Sequence, residues 1–149
     1  MEVFNWISKS EEETIELGKQ FAQFLHLKDI ILLNGELGAG KTEFVKGVCQ
    51  YFEVEDLVTS PTFTIINQYQ GSINNRDFSI FHIDLYRIKK ADELAEIGFG
   101  ECLNDNDSIK FVEWPENAHQ YISQYQYSIR IDVDEKNEDL RYITVTKFD

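Results

Sequence analysis

Nowhere in this chain of 149 residues does an apolar run approach the roughly 20 residues that a bilayer-spanning helix needs. Helical membrane proteins are therefore excluded. The opening stretch MEVFNWISKSEEE has no basic region leading into an apolar core, so no secretory signal is expected and a cytoplasmic location is the default. Positive charge is also scarce, with 14 Lys and Arg against 27 Asp and Glu and a formal net charge of −13. Affinity for a nucleic-acid backbone comes largely from Lys and Arg, so a chain this acidic that serves nucleic acid is expected to do so through a partner. The same acidity also keeps a small protein soluble, and both readings stay open. The two cysteines, Cys49 and Cys102, have neither close spacing nor a partner histidine, which argues against a metal or redox motif and for buried thiols. No internal repeat or low-complexity tract appears. With 42% hydrophobic and 13% aromatic residues, 149 residues make one domain with a real core, spanning 1–149.

Ser10 followed by Glu13 is a capping-box pattern, and Leu17, Phe21, Phe24 and Leu25 recur at helical spacing, so a helix is expected from about Ser10 to Phe24. DIILLNG is a short apolar run of the kind covered on both faces of a parallel sheet. KTEFVKGVCQYF then places Phe44, Val45, Val48 and Phe52 on one helical stripe. LVTSPTFTIINQY and DFSIFHIDLYRI read as adjacent strands joined through the turn-rich QGSINNR. ADELAEIGFGECL reads as a helix ending near Gly98 or Gly100, and SIKFVEWPE as a buried strand stopped by Pro115. YSIRIDV and RYITVTKF alternate as an antiparallel hairpin. The fold class expected is α/β with a mixed sheet.

The strand-to-helix junction carries the most specific chemistry. NGELGAGKTEF matches G-x-x-x-x-G-K-T, with Gly35, Gly40, Lys41 and Thr42 in the required places. Such a loop wraps backbone N–H groups around phosphate oxygens, and the following helix adds the positive end of its dipole. Lys41 is expected to reach the β- and γ-phosphates and the Thr42 hydroxyl to ligate Mg²⁺. A second Mg²⁺-linked carboxylate belongs at the end of a neighbouring buried strand, where Glu113 ends IKFVE and Asp84 lies in FHIDLYR. Ser60 and Thr62, beside Pro61 in TSPTF, suit a segment that senses the γ-phosphate. His82 is read as a packed histidine before a base, and Trp114 as a core anchor before a contact surface.

Further absences narrow the class. No N-K-x-D stretch reads guanine and no D-x-x-G follows Asp84, which disfavours a switch-type GTPase and leaves adenine as the default base. Only four arginines exist, Arg76, Arg87, Arg130 and Arg141, whereas a small-molecule kinase usually needs several around the transferring group. A binding module in which nucleotide only orders a loop for docking is a second alternative to an ATPase.

LNGELGAGKTEFVKG, SPTFTIINQY, FHIDLYRI, ELAEIGF and IKFVEWPE, in this order and spacing, resemble the TsaE family of bacterial P-loop ATPases. The resemblance implies a P-loop NTPase-like fold, with a mainly parallel central sheet flanked by helices and a C-terminal antiparallel hairpin. It implies ATP hydrolysis with Mg²⁺ in support of N6-threonylcarbamoylation of adenosine 37, in tRNAs reading codons that begin with A. The partners implied are TsaD, which carries the transfer, and TsaB, with hydrolysis resetting that pair; tRNA is met only through the complex. It assigns nucleotide binding to Gly35, Glu36, Leu37, Gly38, Ala39, Gly40, Lys41 and Thr42, with looser matches at Glu11 and Arg130 for the nucleotide edge. It gives Mg²⁺ to Thr42 and Glu113, hydrolysis to Lys41 and Asp84, and a place in the switch-like loop to Thr62. Glu43 departs from the family, many of whose members have a second threonine there; the metal ligand Thr42 is retained.

Overall fold

A five-residue run with no polar side chain before its last position can be satisfied only where both faces are covered. In the computed structural model, which describes residues 1–149, that run is strand β2 (Ile30–Asn34) at the centre of a seven-stranded sheet. The other strands are β1 (Glu2–Ser8), β3 (Ile66–Ile73), β4 (Arg76–Asp84), β5 (Ser108–Glu113), β6 (Tyr127–Val133) and β7 (Arg141–Lys147). Their order is β1-β7-β6-β2-β5-β4-β3. β6, β2, β5 and β4 run parallel; β3 at one edge, and β7 with β1 at the other, are joined antiparallel.

Strand alternation divides the core in two. Ile31, Leu33, Ile80, Ile109 and Phe111 pack beneath helices α1 (Glu11–Ala22) and α2 (Lys41–Tyr51), whereas Leu32, Ile83 and Val112 face the opposite layer. That second layer is built from α3 (Ala91–Glu96), α4 (Phe99–Asn104) and the turn at Pro115–Ala118. The same alternation fixes the polar strand ends. His82, Asp84 and Glu113 fall on the α1/α2 side, and Asp84 and Glu113 are register partners on adjacent strands.

Helix α1 starts as its sequence signature predicts. Ser10 Oγ accepts from the Glu13 N–H at 3.1 Å, although the Glu13 carboxylate reaches back to the Lys9 N–H, at 2.6 Å, one residue beyond a standard capping box. The two helices meet through glycines. A Cβ on Gly18 would stand 2.1 Å from the Phe44 carbonyl oxygen and one on Gly47 1.9 Å from that of Ile15, so the backbones are in contact. This contact sets where α2, and the loop that leads into it, stands over the sheet.

Four expectations are corrected. The N-terminal segment, given no element from the sequence, is edge strand β1, recruited by β7. LVTSPTFT is not strand: β3 begins only at Ile66, after Pro61 and a left-handed Ile65 (φ 67°) whose N–H is taken by the Pro61 carbonyl. The hairpin turn is only Asn74–Asn75, both with positive φ as a two-residue turn requires, so the strands run on through most of QGSINNR. The expected single helix over ADELAEIGFGECL is two short ones, broken at Gly98 (φ 71°). Of the two thiols, Cys49 is buried and Cys102 only half-buried; burial, with Asp56 nearby, pushes the Cys49 thiol up to about 12.

Adding one methyl at the helix contact is expected to force the helices apart. Gly47→Ala should lose roughly 3 kcal/mol of stability, the upper range for overpacking, read as a shift in the urea midpoint with an unchanged slope.

Candidate functional site

The loop Gly35–Gly40 leaves the carboxyl end of β2 and enters α2, at the end of a parallel sheet where open α/β folds bind ligands. Two of its glycines are dictated by geometry. Gly35 has φ 155° and a Cβ there would lie 2.6 Å from the Ile131 carbonyl oxygen; Gly40, the residue before α2, has φ 110°. Within the loop the Ala39 N–H is used by the Glu36 carbonyl at 3.0 Å, whereas the N–H groups of Glu36, Leu37, Gly38 and Gly40 donate to no backbone acceptor. A run of unused donors at the start of a helix is what an anion needs.

Lys41, only 6% exposed, folds back over this loop. Its Nζ donates to the Gly35 carbonyl at 2.6 Å, lies 3.2 Å from Glu113 Oε1 and sits 5.5 Å from the centre of the Trp114 ring. The other Glu113 oxygen is 2.5 Å from His82 Nε2, whereas Nδ1 of the same ring is buried without a partner. Burial alone would raise the Glu113 carboxyl. The His82 hydrogen bond and the charges of His82 and Lys41 outweigh it and hold the group below the usual carboxylate range. Beside it, Asp84 accepts from the Thr62 hydroxyl at 3.3 Å and from the Tyr86 N–H at 2.9 Å, and Thr62 and Ser60 share a 2.7 Å hydrogen bond. Arg87 does not pair with Asp84; its guanidinium lies 4.7 Å from the centre of the Phe63 ring.

The structure thus brings Lys41, Glu113, Asp84 and Thr62 together through direct or shared contacts, with Thr42 at the second position of α2. Arg130 shares a cavity of about 100 Å³ with Gly35, Glu36, Lys41 and Trp114, while its own guanidinium is held by Asp132 at 3.1 Å. Glu11 is exposed in the first turn of α1 and makes no side-chain hydrogen bond; one turn later, Thr14 approaches the Gly40 position, its methyl 3.7 Å from where a Cβ would stand. The residues fit a Mg²⁺-nucleotide by their chemistry. Mg²⁺ takes oxygen donors, commonly one or two carboxylates with substrate phosphates, and here the Thr42 hydroxyl of α2 and the adjacent carboxylates ending β4 and β5 offer such donors, well short of an all-protein cage.

Sequence reasoning missed three features. His82, read as a packed histidine, is packed but also holds Glu113. Trp114 is left-handed (φ 56°), which turns its ring toward Lys41 and Tyr86. Arg141 donates from Nε to the Ala39 carbonyl at 2.7 Å across 102 positions, and no local pattern marks it.

With this geometry in view, comparison with known proteins decides the family. Residues 8–143 match the model of the threonylcarbamoyl adenosine biosynthesis protein TsaE family. The chain belongs to the TsaE family. The tRNA threonylcarbamoyladenosine biosynthesis protein TsaE of Rickettsia conorii is 40% identical over 132 residues, 88% of this chain and 72% of the relative. The TsaE of Bacillus subtilis is 32% identical over 98% of this chain and 87% of its own. The crystal structure of Bacillus subtilis YdiB superposes with a TM-score of 0.75 at 29% identity, covering 98% of this chain and 86% of that one. The α/β architecture is accordingly the P-loop fold of this TsaE protein's relatives, and the family places it in tRNA threonylcarbamoyladenosine biosynthesis. No helix is long and apolar enough to cross a membrane.

Removing the shared acceptor leaves His82 Nε2 without a partner and buried Lys41 without its counter-charge. Glu113→Ala is expected to cost about 3 kcal/mol, as for breaking a buried ion pair. Asp84→Ala, whose partner Thr62 can turn to solvent, should cost about 1 kcal/mol. Urea unfolding of the two variants in nucleotide-free buffer checks the order.

Proposed function

We propose that this TsaE-family protein is a Mg²⁺-dependent ATPase that supports N6-threonylcarbamoylation of adenosine 37 in tRNAs reading codons that begin with A, its hydrolysis resetting a TsaB–TsaD transferase pair. The observation that carries the reading is the juxtaposition of the unused N–H groups of Glu36, Leu37, Gly38 and Gly40 with Lys41 and the carboxylates of Glu113 and Asp84. The loop and the α2 N-terminus bind the β- and γ-phosphates, and Lys41 exchanges the Gly35 carbonyl for phosphate oxygens. Thr42 and Glu113 are the residues to hold Mg²⁺, which when bound neutralises phosphate charge. Asp84 orients the attacking water, and Thr62, already hydrogen-bonded to it, carries the state of the γ-phosphate into the loop before β3.

Two features support a partner. Leu37 at the tip of the phosphate loop, Phe63 next to Thr62, and Tyr86 two residues past Asp84 are 70%, 78% and 54% exposed, an apolar rim around the reacting groups. The arginines near the site are otherwise engaged: Arg87 stacks on Phe63, Arg130 is held by Asp132 and Arg141 donates to the Ala39 carbonyl. Docking at the rim would order the Thr62 loop and supply what the chain lacks, and the net charge of −13 leaves tRNA to the partners.

The chain alone is expected to release phosphate from ATP slowly. Saturating TsaB–TsaD should accelerate it by about tenfold or more, since a supplied transition-state contact can be worth far more than that; Lys41→Ala is the inactive control. An unchanged rate despite demonstrated binding would leave only a nucleotide-dependent docking module. The two carboxylates should separate by role. Glu113→Gln should abolish the Mg²⁺ dependence of ATP affinity in calorimetric titrations, whereas Asp84→Asn should bind ATP normally and lose turnover; the reverse pattern would exchange them.

A further inference from the structure

The loop can bind phosphate only if its peptide planes are turned the right way. In a trans peptide the carbonyl and the following N–H point in opposite directions, so an N–H directed into the cradle requires a carbonyl directed out of it. The Ala39–Gly40 plane is free to turn over, because Gly40, with φ 110° and ψ 16°, has no side chain to oppose the change. Its outward carbonyl is held by Arg141, whose Nε donates at 2.7 Å.

We propose that Arg141 is a positioning residue for the phosphate loop, pinning the Ala39–Gly40 peptide so that the Gly40 N–H faces the β-phosphate. The inference rests on the ATPase reading and names a residue that reading does not include. The guanidinium is used as a carbonyl-binding fork: Nη1 also donates to the Glu138 carbonyl and, at 3.5 Å, to that of Leu140. None of the five ion pairs involves it, whereas Arg76 and Arg130 each have a carboxylate partner. Its charge therefore stays uncompensated beside the cradle, with Nε 3.8 Å from where a Gly40 Cβ would stand. The mount is rigid. Arg141 opens β7 between Ser8 of β1 and Val133 of β6, and the loop before it is closed by Asp134 N–H to the Leu140 carbonyl at 2.9 Å and by Tyr142 O–H to Asp134 at 2.8 Å. Thr14, whose methyl also lies 3.7 Å from that Gly40 Cβ position, is fixed by a 2.7 Å hydrogen bond to Ser8. The flexible residue thus stands against both helix α1 and edge strand β7.

ADP, which carries a β-phosphate, and AMP, which does not, separate this role from general support of the fold. Calorimetric titrations of the wild type, Arg141→Ala and Arg141→Lys are paired with thermal unfolding and with the ¹⁵N amide resonance of Gly40. Arg141→Ala should lose about tenfold in ADP affinity, the worth of one charge-assisted hydrogen bond, and change AMP affinity little. Arg141→Lys, which keeps the charge but not the planar fork, should lose about threefold. The Gly40 amide should shift on ADP addition in the wild type and not in Arg141→Ala. Should Arg141→Ala fail to fold, Arg141→Lys and its Gly40 resonance carry the test. Unchanged ADP affinity in the variants, or equal losses for ADP and AMP with a lowered melting temperature, would overturn the positioning role alone. Failure of the wild type to bind ADP would remove the ATPase reading and this inference with it.

Discussion

Three ionisable side chains, Lys41, Glu113 and His82, meet almost out of contact with water, their side chains 6%, 5% and 0% exposed. Charges so placed are tolerated only when paired and hydrogen-bonded. The pairing requires the start of α2, β5 and β4 to keep their relative heights, because each residue comes from a different element. A one-residue slip between β4 and β5 would turn His82 to the opposite face and separate Asp84 from Glu113. The buried row is therefore both a consequence of the parallel sheet and a specification of its register. It also leaves Lys41 bound to groups it can exchange for phosphate oxygens, so the resting contacts and the proposed chemistry use the same atoms.

Above that row, helix α2 is placed by contact between backbones. Gly18 and Gly47 let α1 and α2 approach closer than any side chain permits, and the approach brings Thr14 up to Gly40. The antiparallel edge of β1 and β7 then closes around the loop from outside, through Ser8, Thr14 and Arg141. The phosphate-loop end of the sheet is thus supported by elements that carry none of the residues proposed to act on nucleotide. At the opposite end from the phosphate loop, Asp56, Asp77, Asp105 and Asp107 line a depression of about 610 Å³ near the start of β4 and β5.

The sequence by itself determined whatever depends on short spans. The G-x-x-x-x-G-K-T pattern marked the loop between β2 and α2, the apolar runs marked β2 and β5, and alternation marked the β6–β7 hairpin, since periodicity and turn chemistry act within a few residues. Glu113 and Asp84 were legible as strand ends where apolar residues give way to charge. The tertiary structure alone decided what depends on partners distant in the chain. β1 is a strand only because β7 offers it an edge, and Leu57–Ile65 is loop because Pro61 and a left-handed Ile65 outweigh local β-propensity. His82 became a holder of Glu113 only when β4 met β5. Arg141 reached the phosphate loop only because β7 folds back beside β1, bringing together atoms 102 residues apart. No local pattern encodes such a contact: its energy lies in long-range packing, where a single polar residue leaves no periodic trace.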